Sequence, residues 1–142
     1  MSQYSTFTVD GLLFGVDVQR VQEVLRHQTI TPVPLAPRVV RGLINLRGQI
    51  VTALDLRARL SMEPHAADAT PLNVVVRTDE GAVALLVDDI GDVITADPES
   101  WETAPNTLSD AARDLIPGAY KLDGRLLLQL DVDRALDVSP TA

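Results

Sequence analysis

Short apolar runs separated by turn residues organise this chain from end to end. Tyr4 to Val9 and Leu12 to Val16 are strand-like, with Asp10-Gly11 between them and Asp17 closing the unit. Leu72 to Thr78 and Ala82 to Val87 repeat the arrangement around Asp79-Glu80-Gly81. Leu43 to Leu46 and Gln49 to Leu54 flank Arg47-Gly48, a natural chain reversal. Gly48 can take the positive φ of a tight turn, so Arg47 is predicted to stand at a hairpin tip. Asp55 is predicted to cap a short helix carrying Leu56, Ala58 and Leu60.

These signals occur twice in the same order. Val21-Gln22-Glu23-Val24 and Ile90-Gly91-Asp92-Val93 each join an apolar residue, an acid and a valine. Gly48 to Leu56 is matched by Gly124 to Val132, with Gly, Leu and Asp at the same spacing. Repetition of this kind predicts a duplicated supersecondary unit. The approximate halves are 4–60 and 72–138, joined by a polar, proline-bearing linker at 61–71. Many short strands with turns between them predict an all-β barrel or sandwich with short helices. Two small barrels packed face to face fit the length, and each alone would bury too little surface to be stable. The whole of 1–142 is therefore read as one domain with an apolar, permanent seam, strand exchange between the halves being allowed.

Three other stretches complete this reading. Ile30 to Pro37 is expected to be extended, because each proline disfavours helix in the residue before it. Thr95 to Pro117 is expected to be rich in loops, with a short helix from Ser109 through Leu115 stopped at Pro117-Gly118. Residues 139–142 are expected to fray.

Composition narrows the function. Hydrophobic residues make up 46% of the 142 positions, enough for a packed core, and aromatics only 4%, so aliphatic side chains must fill it. A net charge of −8 argues against nucleic acid and anionic membranes as partners. Ala82 to Val87 is the longest apolar run and is far short of the roughly 20 residues of a membrane-spanning helix. The N-terminus lacks the basic and apolar segments of a secretory signal, and there is no cysteine. A soluble cytoplasmic protein is expected.

Candidate chemistry is sparse. Asp88, Asp89, Asp92 and Asp97 lack Ca²⁺-loop spacing and read as a solvated acidic loop. His27 and His65 have no ligand or nucleophile partner at motif spacing. Arg41-Gly42 and Arg47-Gly48 lack the glycine spacing and following helix that cradle phosphate. Trp101 reads as a partly buried anchor. With no acid, base and nucleophile set, the chain is read as a binding module, not an enzyme, with no metal or cofactor.

Phe14 to Val24, Val40 to Arg57, Leu86 to Val93 and Gly124 to Leu136 together resemble the CheW-type chemotaxis coupling domain. The most specific part is Asn45-Leu46-Arg47-Gly48 followed by Asp55-Leu56-Arg57, and the resemblance covers about residues 4 to 138. Thr52-Ala53 departs from a common Pro–apolar pair. The resemblance implies two packed SH3-like five-stranded β-barrels and no enzymatic activity. It implies a cytoplasmic adaptor, associated with receptor arrays at the inner face of the membrane. Its partners would be the helical-hairpin tip of chemoreceptors, the regulatory domain of a CheA-type histidine kinase, and other CheW-like domains. The receptor-binding positions carried over are Val21, Glu23, Gly42, Asn45, Leu46, Arg47 and Gly48. Glu23 and Arg47 are expected to form a partly buried ion pair that fixes the wall of a groove. The alternatives are an adaptor of a non-flagellar chemosensory pathway for pilus or surface motility, and a generic SH3-like protein-binding module. A small acid-dependent hydrolase is the enzymatic alternative, and it lacks a catalytic set.

Overall fold

The computed structural model describes residues 2–26, 28–64, 70–79, 81–103 and 108–136. His27 and His65 lie outside the described residues. The strands are β1 (Ser2–Val9), β2 (Leu12–Asp17), β3 (Val21–Leu25), β4 (Val40–Leu46), β5 (Gln49–Asp55), β6 (Leu72–Thr78), β7 (Gly81–Val87), β8 (Asp89–Ala96), β9 (Trp101–Thr103), β10 (Gly118–Leu122) and β11 (Arg125–Gln129). Among the described residues three short α-helices accompany them, α1 (Leu56–Arg59), α2 (Asp110–Leu115) and α3 (Val132–Leu136), with 3-10 turns at Val18–Arg20 and Pro98–Ser100. As the aspartate spacing implied, Asp55 accepts the Ala58 N–H at 3.3 Å and Asp131 accepts the Arg134 N–H at 3.1 Å. Ser109 caps α2 through the Ala112 N–H at 3.2 Å.

The strands form two sheets, ordered β8-β1-β2-β11-β10-β9 and β3-β6-β7-β5-β4. The duplication is expressed as a reciprocal exchange. Hairpin β1–β2 of the first half lies with β8, β10 and β11 of the second. Hairpin β6–β7 of the second half lies with β3, β4 and β5 of the first. The joins are parallel: Phe14 sits beside Leu128 in β2–β11, and Ala84 beside Ala53 in β7–β5. Parallel neighbours need a long crossover: β5 reaches β7 through α1 and β6, and β2 reaches β11 only after β3 to β10. The barrels therefore do not follow 4–60 and 72–138; each draws strands from both.

Both faces of the central strands are buried, which explains the nearly unbroken apolar runs. Alternate residues point to different cores. Phe7, Phe14, Val74, Val76 and Leu85 enter one large cluster shared by the sheets, together with Leu115 and Leu130. Val75, Ala84 and Leu86 point the other way, into a second cluster with Ile44, Leu46 and Val51. Tyr4, Leu13, Tyr120 and Leu127 form the matching cluster of the first sheet. The expected apolar seam is the largest of the three.

Three features depart from the sequence reading. The first sheet has a sixth strand, the short β9, within the stretch expected to be loop-rich. Asp89 to Ala96 is strand rather than acidic loop, because it pairs antiparallel with β1. After Val33 the proline-rich stretch turns at Pro34-Leu35, where fully exposed Leu35 has φ 63°.

The return segment after each barrel's edge strand is seated on a glycine. Thr31 bridges to Leu43 with backbone bonds of 2.9 and 2.8 Å. A Cβ on Gly42, whose φ is 149°, would overlap the Thr31 carbonyl oxygen and lie 2.8 Å from Ile30 Cγ2. In the other barrel β9 pairs with β10, and a Cβ on Gly118 would overlap the Trp101 ring and the Glu102 carbonyl oxygen. Gly42 and Gly118 precede the hairpin glycines Gly48 and Gly124 at identical spacing. Gly42→Ala and Gly118→Ala should each cost about 1–3 kcal/mol of stability, the usual penalty for overpacking. Gly48→Ala meets nothing within 4 Å, so its cost should be confined to the strain of a side chain at φ 89°, about 1 kcal/mol. Chemical denaturation midpoints would establish this order.

Candidate partner-binding groove and its ion pair

The β4–β5 turn is built to hold Arg47 outward. Arg47 and Gly48 have φ of 52° and 89°, the two positive values of a type I′ hairpin turn, and Leu46 pairs with Gln49 across it. Asn45 Oδ1 accepts the Gly48 N–H at 2.9 Å and locks the turn from within. From this tip Arg47 donates to the carboxylate of Glu23 on β3.

β3 and β4 are the two edges of the five-stranded sheet, so this ion pair draws its edges together. Glu23 is mostly covered, with 20% of its side chain exposed, whereas Arg47 is 72% exposed. The pair forms as expected, but at the surface, where solvent screens it. Its hydrogen bond to Arg47 holds the Glu23 carboxyl below the usual carboxylate range, and the Arg47 guanidinium is raised in turn. The pair contributes geometry more than stability.

The other candidate positions divide by burial. Asn45 and Gly48 are exposed beside Arg47, and Val21 is half-buried against the main core. Gly42 and Leu46 are buried, the first under Thr31 and the second in the core of its barrel. Their surroundings let them shape the hairpin rather than present a side chain.

At the end of β3 the two sheets leave a groove of about 600 Å³. It is lined by Val24, Leu25, Arg26, Thr70, Leu72 and Ile90, and Val24 is 41% exposed. β3 and β6 contribute one side, and Ile90 of β8 the other. None of the seven candidate residues lines it; Glu23 is the residue immediately before its first wall residue. Sequence reasoning missed the lining because Val24, Leu25, Leu72 and Ile90 look like ordinary strand residues. An unpaired apolar position on a sheet edge was the available signal.

The remaining chemistry-bearing residues are structural. Asp88, expected to be solvated, is largely covered and bound to Arg57 through 2.9 and 2.6 Å contacts. Trp101 is 40% exposed and donates its Nε1–H to Gln129 Oε1 at 3.0 Å, the anchoring role expected of it. Tyr4 and Tyr120 share a 3.0 Å hydroxyl hydrogen bond, and desolvation with that bond pushes the Tyr4 phenol up. Among the described residues no His, Asp and Glu side chains cluster as metal ligands. No described helix is long and apolar enough to cross a membrane.

Fold and surface together define a class: two packed, SH3-like β-sheets completed by exchanged strands, with an apolar groove between them and a charged hairpin bonded across the edges of one sheet. A family model for the CheW-like domain matches residues 3–139. The chain belongs to the CheW-like domain family. It is 32% identical over 132 residues to chemotaxis protein CheW of Bacillus subtilis (strain 168), covering 92% of this chain and 84% of the relative. Chemotaxis protein CheW of Rhizobium meliloti (strain 1021) is 31% identical over 127 residues, covering 89% and 82%. The crystal structure of scaffolding protein TtCheW from Thermoanaerobacter tengcongensis superposes with a TM-score of 0.85 at 26% identity, covering 97% of this chain and 94% of that one.

Because Arg47 depresses the Glu23 pKa, the pair's contribution is present above the unfolded-state value and is lost as pH falls through the folded one. Wild type should therefore melt slightly above Glu23→Gln near neutral pH, and the gap should close below about pH 4. Scanning calorimetry across that range would check it; a gap that persists in acid assigns the effect to something other than this carboxylate.

Proposed function

We propose that this chain is a non-enzymatic cytoplasmic adaptor that couples the helical-hairpin tips of chemoreceptors to a CheA-type histidine kinase. The observation that carries the reading is the apolar groove of about 600 Å³, whose wall residue Val24 follows Glu23 of the Glu23–Arg47 pair on β3. An amphipathic helix, about 10 Å wide, is bound by laying its apolar face in such a groove against a polar rim. Val24, Leu25, Leu72 and Ile90 supply the apolar floor and walls. Arg26 and Thr70 are its polar lining groups, and Glu23, bonded to Arg47, precedes Val24 on the same strand.

The barrel ends suit the kinase regulatory domain and other CheW-like domains. Leu12 and Leu126 are exposed at one end, beside an apolar pocket of about 270 Å³, and Ile50 is 60% exposed at the corresponding place in the other barrel. An adaptor without chemistry acts by binding partner states with different affinity and by raising the partners' effective concentration. The comparisons support this class of role, since the relatives are chemotaxis proteins and the solved structure is a scaffolding protein.

Titration calorimetry with a purified receptor-tip hairpin tests the reading. Val24→Asp and Arg47→Glu should each weaken binding about tenfold or more, equivalent to about 1.4 kcal/mol. The melting temperature of Arg47→Glu should stay close to wild type. Undiminished binding by Val24→Asp would remove the groove from the mechanism, and undiminished binding by Arg47→Glu would remove the hairpin. Capture from native cytoplasm should recover a CheA-like kinase together with receptor tails.

A further inference from the structure

Among the described residues, Arg26 is the one charged group lining the apolar groove. Its side chain is exposed, and among the described residues no carboxylate pairs with its guanidinium. Arg20, Arg41, Arg47 and Arg57 each hold a carboxylate. The chain has 20 acidic residues against 12 basic ones, so a scarcity of carboxylates does not explain the difference.

The main chain at Arg26 is fixed. Arg26 follows directly on β3, whose last residue, Leu25, pairs with Asn73 of β6. Asn73 is 1% exposed, and its Nδ2 donates to the Arg26 carbonyl at 3.1 Å. Gln28 Nε2 donates to the same carbonyl at 3.1 Å. The Asn73 Oδ1 is buried with no hydrogen-bond partner among the described residues. A buried amide with an unpaired acceptor costs stability that an apolar side chain of similar shape would not. What Asn73 supplies is an anchored Arg26 at the end of the groove wall formed by Val24 and Leu25.

We infer that Arg26 is a specificity-determining residue of the groove and pairs with a carboxylate on the polar flank of the helix bound there. This rests on the groove being the receptor-tip site. An amphipathic helix turns the apolar residues of one face toward Val24, Leu25, Leu72 and Ile90, and its flanking polar positions then lie along the rim. Arginine suits that rim: its methylene stem lies over apolar surface, and its guanidinium offers two parallel N–H groups to a carboxylate. The seated helix excludes water from the groove, so the pair is stronger there than on open surface. A helix carrying Lys or Arg at the same position meets a like charge and is rejected. Because the Arg26 main chain is held by Asn73, the carboxylate also fixes the register of the helix along the groove.

Titration calorimetry with the receptor-tip hairpin and a charge swap tests the pair. Arg26→Glu should weaken binding about tenfold or more, and Arg26→Gln should weaken it less. Arg26 is exposed, so both variants should melt close to wild type. Hairpins in which the acidic residues are changed to lysine one at a time supply the other half of the swap. One of them should bind wild type poorly and recover binding to Arg26→Glu. Arg125→Glu makes the same charge change at the barrel-end pocket beside Leu126 and should leave hairpin affinity as in wild type. If Arg26→Glu does not fold, Arg26→Gln carries the test, and it should lose the discrimination against that lysine hairpin. Full binding by the Arg26 variants, a loss that no lysine hairpin recovers, discrimination that survives in Arg26→Gln, or an equal loss in Arg125→Glu would overturn the pairing and leave the groove reading standing. No binding of the hairpin to wild type, or undiminished binding by Val24→Asp, would overturn the groove reading itself.

Discussion

Neither half of this chain can complete a barrel by itself. The parallel contacts of β2 with β11 and of β7 with β5 require strands supplied by the other half. Exchange makes the seam obligatory: the large shared cluster takes Phe7 and Phe14 from one sheet and Val74 and Leu85 from the other. Burying each such side chain contributes about 1.5–3 kcal/mol, so the two barrels stand or fall together. It also places the crossing points, near Arg20 and Asp88, where a charged residue can hold both sheets at once. The groove exists because two edge strands, β3 and β8, are brought to one side by this arrangement.

The duplicated halves are alike in backbone and unlike in charge. Both barrels seat a returning segment on a glycine, Gly42 in one and Gly118 in the other. Both end in an aspartate-capped short helix. Yet where one barrel has Glu23 and Arg47, the corresponding positions of the other hold Asp92 and Asp123, two residues of like charge that cannot form such a pair. The ion pairs at the crossing points are likewise reversed, Asp88 with Arg57 against Arg20 with Asp133. A fold whose strand order is duplicated thus carries different charges at corresponding positions.

Burial ranks the charged contacts by what they can do. Arg57–Asp88 is well covered and bidentate, which favours fixed geometry. Glu23–Arg47 ends in solvent, so it orients a hairpin and remains available for a partner to cover. Lys121–Glu102, both members largely exposed, belongs with the screened pairs that add little. The net charge of −8 hides this division, because the informative quantity is where each carboxylate sits.

The chain's own pattern determined the β-rich class, the hairpin turns and the duplication. Those depend on local chemistry: glycine's freedom at Gly48, the capping geometry of Asp55 and Ser109, and apolar runs too short for long helices. It also placed Arg47 at a tip and, through the family motif, next to Glu23. Tertiary structure decided which half completes which barrel, because parallel strand pairing joins residues far apart in sequence and leaves no local mark. The burial of Gly42 and Leu46 was likewise invisible until Thr31 and the barrel core were seen to cover them. Asp88 looked like one acid among several until folding brought Arg57 and the Asp10 amide to it. The groove itself is a gap between edges, and a gap has no residues of its own until the sheets that leave it are in place.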